Sequence, residues 1–131
     1  MAKGNKLPSP KMREAEEGIM KVITDITEAL RRQDLEDYMA GFHKDVIVAR
    51  QKVKLLEGLE QWRKSMENDI RTPINVTYDR VHLKVSESCD WGYCVADFNF
   101  VIGQVKGYEM LHATFMKFGG DWKIVAFSLI H

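Results

Sequence analysis

The stretch INVTYDRVHLKV, residues 74–85, decides how the rest of the chain is read. Ile74, Val76 and Tyr78 alternate with polar residues, the period of a strand with one buried face. The phase slips at Arg80 and resumes as Val81, Leu83 and Val85. A slip inside one long strand is what a β-bulge produces, and bulges bend sheets. The stretch therefore predicts a long strand in a curved sheet.

What such a sheet encloses comes from the residues before it, where the apolar period is that of a helix. Ser9-Pro10 offers a capping hydroxyl followed by proline at the first helical position. Ile19, Val22, Ile23, Ile26, Ala29 and Leu30 then share one face of a helix predicted over residues 10–32. Glu14, Glu16 and Glu17 come early and Arg31 and Arg32 late, as the helix dipole favours. Asp34 caps a second, shorter helix with Leu35, Tyr38, Met39 and Phe42 as its buried stripe, ended by His43-Lys44-Asp45. His43 there would be a cation at a helix C-terminus. Val46 to Ala49 reads as a short strand. Gly58 opens a third helix, with Leu59, Trp62 and Met66 on one face, closing before Pro73. Beyond the bulged strand, residues 91–102, 108–118 and 122–130 read as three more strands, joined by turns at Gly103 to Gly107 and Gly119-Gly120-Asp121. The class is α+β: N-terminal helices packed in a strongly curved antiparallel sheet, a cone with room for a cavity.

Composition bounds the function. A chain of 131 residues makes one domain, expected over 10–131 after a flexible tail at 1–9 that holds Lys3 and Lys6 beside Gly4 and Pro8. Lys+Arg and Asp+Glu balance at 19 each, so neither nucleic acid nor an anionic membrane is expected as a partner. No apolar run approaches the roughly 18 residues that span a bilayer, and the start lacks the apolar core of a secretory signal. Cys89 and Cys94, five apart on an expected strand, would point to opposite faces; unpaired thiols suit a reducing cytoplasm. His43, His82, His112 and His131 lie too far apart in sequence to suggest a metal site, and no cofactor motif occurs.

Several short stretches resemble the nuclear-transport-factor-2-like, or SnoaL-like, superfamily. Ala29-Leu30-Arg31-Arg32-Gln33-Asp34-Leu35 is similar to its helix–turn–helix. Phe42-His43-Lys44-Asp45-Val46 is similar to its "F-x-x-D-h" approach to the first strand, where h is apolar. Glu57-Gly58 matches the glycine that opens helix three, and Gly120-Asp121-Trp122-Lys123-Ile124-Val125 the start of the last strand. The order and spacing of these motifs carry the resemblance, which spans roughly residues 15–131. It implies the cone fold, with isomerases, dehydratases, epoxide hydrolases, polyketide cyclases and non-catalytic binding or oligomerisation domains all among its members, so fold alone selects no function.

Ketosteroid isomerase, within that superfamily, uses a tyrosine on the first helix and two aspartates on pocket-facing strands. Aligned through Asp34-Leu35, those positions fall on Ile26, Arg50 and near Thr114. Arginine cannot abstract a proton at neutral pH and isoleucine has no donor, so that mechanism is rejected. Arg50 shares the parity of Val46 and Val48, which places it in the cavity as an anion-recognition group or, alternatively, in a solvated loop continued by Gln51 and Lys52. His112 and Thr114 share the parity of Tyr108 and, in the register the resemblance implies, face the cavity. That makes His112 the candidate acid or base, with a hydrogen-bonded core histidine as the alternative. The same register turns Cys94, Ala96, Phe98 and Phe100 inward and sets Tyr93, Val95, Asp97 and Asn99 on an outer face that often forms dimers in the superfamily. Asp97 and Glu109 reach the pocket only if the register is shifted. Tyr38, Trp62, Met66 and Phe98 complete the expected wall, or simply the core.

The leading expectation is a pocket protein, a homodimer holding an apolar or amphipathic ligand whose carboxylate Arg50 would accept. A cyclase-, isomerase- or hydrolase-type enzyme using His112 is the second, and a non-catalytic scaffold the third.

Overall fold

The computed structural model describes residues 9–130; most of the expected tail and His131 lie outside them. The chain runs α1 (Pro10–Arg32), α2 (Leu35–Met39), β1 (Phe42–Arg50), β2 (Leu56–Glu57), α3 (Leu59–Asp69), β3 (Ile74–Val85), β4 (Trp91–Ile102), β5 (Val105–Phe118) and β6 (Asp121–Ile130).

The capping chemistry works as the residue types require. Ser9 Oγ accepts from the Met12 N–H at 3.0 Å, and Asp34 Oδ1 accepts from the Asp37 N–H at 3.0 Å. Gln33 ends α1 in the left-handed region at φ 61°, and the Asp34 N–H turns back to the Ala29 carbonyl. Along α1, Ala15, Ile19, Ile23, Ile26, Ala29 and Leu30 are buried.

One sheet carries all six strands in the order β2-β1-β6-β5-β4-β3, open at β2 and β3. The bulge expected in β3 is there: its pairing with β4 shifts between Asp79 and His82, and Arg80 adopts φ 48°. Before it Ile74, Val76 and Tyr78 face the helices, and after it Leu83 and Val85 do. A second irregularity, between Thr114 and Phe115 opposite β6, keeps Ile124 and Phe127 both buried although they lie three apart.

Four expectations need correction. The sheet is mixed, because β1 and β6 pair in parallel; these two strands are joined through the whole meander rather than by a hairpin. Helix α2 stops at Met39, and Phe42 and His43 already belong to β1. His43 thus caps no helix; its ring stacks on Phe118 at 4.2 Å and its Nδ1 accepts from the Asp45 N–H. The third strand of the meander starts at Val105, since the turn is only Gly103-Gln104, with Gly103 at φ 61°. The last correction concerns which face of β5 is inward. Pairing sets Phe98 opposite Glu109, Ala96 opposite Leu111 and Cys94 opposite Ala113, and cross-strand partners share a face. Glu109, Leu111, Ala113 and Phe115 therefore point to the core side, and Tyr108, Met110, His112 and Thr114 away from it.

The core fills the concave side. Tyr38 and Phe42 from the α2–β1 corner, Trp62 from α3 and Phe127 from β6 pack with ring centroids 5.1–6.0 Å apart. Trp62, Phe115, Ile19 and Ile124 are fully buried.

Candidate functional site

The concave side is not packed solid where β1, α3, β4 and β5 come together. A cavity of about 170 Å³ remains there, lined by Tyr38 (α2), Arg50 (β1), Trp62, Met66 and Asp69 (α3), Phe98 and Phe100 (β4) and Glu109 (β5). Leu30, Ile74, Ile102 and Leu129 close its apolar sides. Gly107 makes part of this shape possible: a Cβ there would sit 2.5 Å from the Phe100 ring, which lies over it.

Arg50 marks the mouth. Its inward parity holds, and its guanidinium pairs with the Asp69 carboxylate at 3.1 Å and donates to Ser65 Oγ at 3.1 Å while lying 5.6 Å from the Trp62 ring centroid. The side chain is 30 % exposed, so it is neither solvated in a loop nor alone in an apolar cone. A carboxylate and a ring face share its charge.

One buried polar group in the wall has no such partner. The Trp62 indole N–H is buried without an acceptor among the described residues. Tyr38 beside it is 2 % exposed. Burial, reinforced by Tyr78, pushes the Tyr38 phenol well above its ordinary pKa, with Arg50 opposing, so this hydroxyl stays protonated and can donate. Unpaired donors are costly in an apolar wall and are satisfied by a ligand acceptor or water. Glu109, half-buried, is the carboxylate of the β5 wall.

Sequence reasoning brings together Tyr38, Arg50, Trp62, Met66 and Phe98, and the structure sets all five around this cavity. It does not bring in Tyr108, Thr114 or His112. Tyr108 is 62 % exposed on the outer face, Thr114 lies there opposite Tyr93, and His112 is exposed between Val95 and Ser128 with its ring edge-on to Tyr93. The three share one parity on β5, and its pairing with β4 sets them together on the outer side. An acid–base role for His112 inside the cavity is thereby excluded by position. Asp97 is also outward, hydrogen-bonded to the Arg80 guanidinium, which holds its carboxyl below the usual range. Glu109, expected in the pocket only on a shifted register, does line it, and Asp69 is the residue missed. The signal for Glu109 was the run Leu111, Ala113, Phe115 on its own parity; that for Asp69 was an acid in the last turn of a helix, where the dipole disfavours it.

A larger depression of about 580 Å³ lies where α1, α2 and the start of β6 meet. Its charges already answer one another, as Lys21 with Asp25 at 2.7 Å and Arg32 with Asp37 at 3.0 Å, and they are exposed. Among the described residues, no three His, Cys, Asp or Glu side chains are grouped to hold a metal ion. No described helix is long and apolar enough to cross a membrane. Cys89 and Cys94 are free and buried.

This cone-shaped α+β architecture is that of the nuclear-transport-factor-2-like proteins. An NTF2-like protein of unknown function from Pseudomonas putida KT2440 superposes with a TM-score of 0.81 at 14% identity, covering 90% of this chain and 87% of that one. A candidate dehydratase of the NTF2-like family from Streptomyces avermitilis gives 0.79 at 15% identity, covering 90% and 96%. A candidate scytalone dehydratase from Novosphingobium aromaticivorans DSM 12444 gives 0.71 at 17% identity, covering 91% and 85%. No curated protein sequence matches significantly. Within this class the chain belongs to the SnoaL-like domain family, whose model matches residues 19–129.

Proposed function

We propose that this domain binds a small, largely apolar molecule inside the cone. The observation that carries this is an apolar cavity whose wall includes Trp62, with its indole N–H buried and without an acceptor among the described residues, beside Tyr38. An acceptor on the ligand, such as a carbonyl or ether oxygen, would satisfy a donor there and orient the molecule. Glu109 in the same wall disfavours a carboxylate lying fully inside. Phenol, indole and simple aromatic ketones are suitable probes, with binding followed by ligand-observed NMR. Ile102→Trp, at the half-buried rim, should fill the cavity and abolish binding. Probes that bind Ile102→Trp as well as the wild type would remove the cavity as the site.

A second reading, supported by Glu109, is an enzyme of acid–base type, in keeping with the two dehydratase-named neighbours. Glu109 replaces His112 as its acid or base, and Tyr38 would polarise the substrate oxygen. A Glu109→Gln protein that folds and binds but turns nothing over would support it.

The same proposal includes a homodimer formed through the convex sheet face. Val95, Tyr108, Met110 and Ile130 are exposed there, and exposed apolar patches of this kind mark interaction surfaces. The two buried thiols suit a reducing, cytoplasmic setting.

A further inference from the structure

The cavity has a neighbour. Beyond the end of β1, between Gln51, Val53 and the outer side of α3, lies a groove of about 500 Å³, and Arg50 and Asp69 line both spaces. Their ion pair is the partition.

Three features give this partition a purpose. At about 170 Å³ the cavity falls below the roughly 300 Å³ at which ligand pockets usually begin, so a ligand of ordinary size must extend past Arg50. The two spaces also differ in charge. Inside, Glu109 is the carboxylate facing apolar side chains, which disfavours an anion; in the groove, Lys64 and Arg71 join Arg50 against Glu67 and Asp69, and neither Lys64 nor Arg71 has an ion-pair partner among the described residues. Finally, Asp69 closes α3 with no basic residue in that helix's last turn, so its carboxylate faces the negative end of the dipole and relies on Arg50. Both members of the pair are about a third exposed, where such a bond is weak enough to be exchanged.

Resting on the pocket reading above, we propose that the ligand is an amphipathic monocarboxylate and that the Arg50–Asp69 pair is the gate between its two halves. The apolar end occupies the cavity against Trp62, Met66 and Phe98. The carboxylate stays in the groove, where it takes Arg50 from Asp69 and meets Lys64 and Arg71. Arg50 then acts as an anion receptor at the mouth, and Asp69 competes with the head group for it.

Calorimetric titration of the full chain with 4-phenylbutyrate and with 4-phenylbutanol, the same molecule without the charge, tests this. The wild type should bind the carboxylate at least about fivefold tighter, an advantage that added salt reduces. Asp69→Asn should tighten the carboxylate further by about threefold, because Arg50 no longer has a competitor, and move the alcohol less. Lys64→Ala and Arg71→Ala, both away from the core, should each weaken the carboxylate by about threefold. If the alcohol binds as tightly as the carboxylate and Asp69→Asn alters neither, the gate is overturned while the pocket reading stands. Absence of binding by both probes overturns the pocket reading, and the gate with it.

Discussion

The two faces of this sheet are made of similar residues and meet different fates. On β5, Leu111, Ala113 and Phe115 lie at 3 %, 1 % and 0 % exposure, whereas Met110 and Met116, one residue away, lie at 47 % and 43 %. Apolar character does not separate the two sets. What separates them is the partner: the inner set meets Cys94, Ala96 and the core on the helix side, and the outer set pairs with Asp97 and Trp91 and stays exposed. A strand that is apolar on both faces hides its own orientation, and the strands beside it must supply it.

The largest effect that would sharpen this contrast is a truncation on each side of one peptide bond. Phe115→Ala should cost about 3–5 kcal/mol, since it leaves a cavity in a closed core, and Met116→Ala less than about 1 kcal/mol. Urea unfolding of both variants measures it. Comparable losses would mean that the convex face is as tightly covered as the concave one.

Next in size is an alkaline effect specific to the concave face. Burial pushes the Tyr78 phenol up to about 12, against the opposing hydrogen bond shared with Thr27, with Cys94 adding to the rise. The folded state thus favours the neutral phenol. Its pKa exceeds the ordinary value of 10.0, so this contribution is complete below that pH and is lost as pH rises through the folded value. Stability measured by urea unfolding should fall by about 1–2 kcal/mol over that window. Tyr78→Phe should reduce the slope, leaving the share due to Tyr38, and lower stability at neutral pH by about 1 kcal/mol, the net worth of the bond to Thr27. An unchanged slope in Tyr78→Phe would assign the alkaline loss to Tyr38 or to another group.

The same contrast explains how much of the molecule was legible in its sequence. The helices and their caps could be read because Ser9, Asp34 and Gly58 carry local signals that need no partner strand. The bulge at Arg80 was legible because a phase slip shows in one strand by itself. β4 was legible too, since Cys94, Ala96, Phe98 and Phe100 contrast with Asp97 and Asn99. β5 has no such contrast: Tyr108, Met110 and Met116 compete with Leu111, Ala113 and Phe115 for the inner face. That ambiguity carried His112 into the cavity and Glu109 out of it. The parallel pairing of β1 with β6 was hidden for a related reason, because it joins strands more than 70 residues apart. The Arg50–Asp69 pair joins the ends of two elements, and neither residue is unusual alone.

A smaller effect belongs to the convex face, where a homodimer is proposed. Met110 sits there between Asp97 and Ile130. Met110→Glu would set a carboxylate beside Asp97 and bring like charges from the two subunits into one patch. Dissociation should become at least about tenfold easier, or 1.4 kcal/mol, with the monomer's unfolding curve little changed. Sedimentation velocity over a concentration series distinguishes this from a monomeric wild type, which would leave the convex face without a partner copy.

The smallest expected effect is also the most direct check on the orientation of β5. His112 is exposed and touches Tyr93 edge-on at 6.1 Å, and it has Val95 and Ser128 as cross-strand neighbours. None of these lines the cavity. His112→Ala should therefore change stability by no more than about 0.5 kcal/mol and leave the affinity for a cavity probe unchanged. Glu109→Ala, three residues earlier and on the other face, should alter that affinity because it removes a charge from the wall. Reversed outcomes, with His112→Ala abolishing binding and Glu109→Ala silent, would require β5 to be turned over. Phe115 could not then remain in the core, so the two truncations and these two substitutions examine the same orientation from opposite faces.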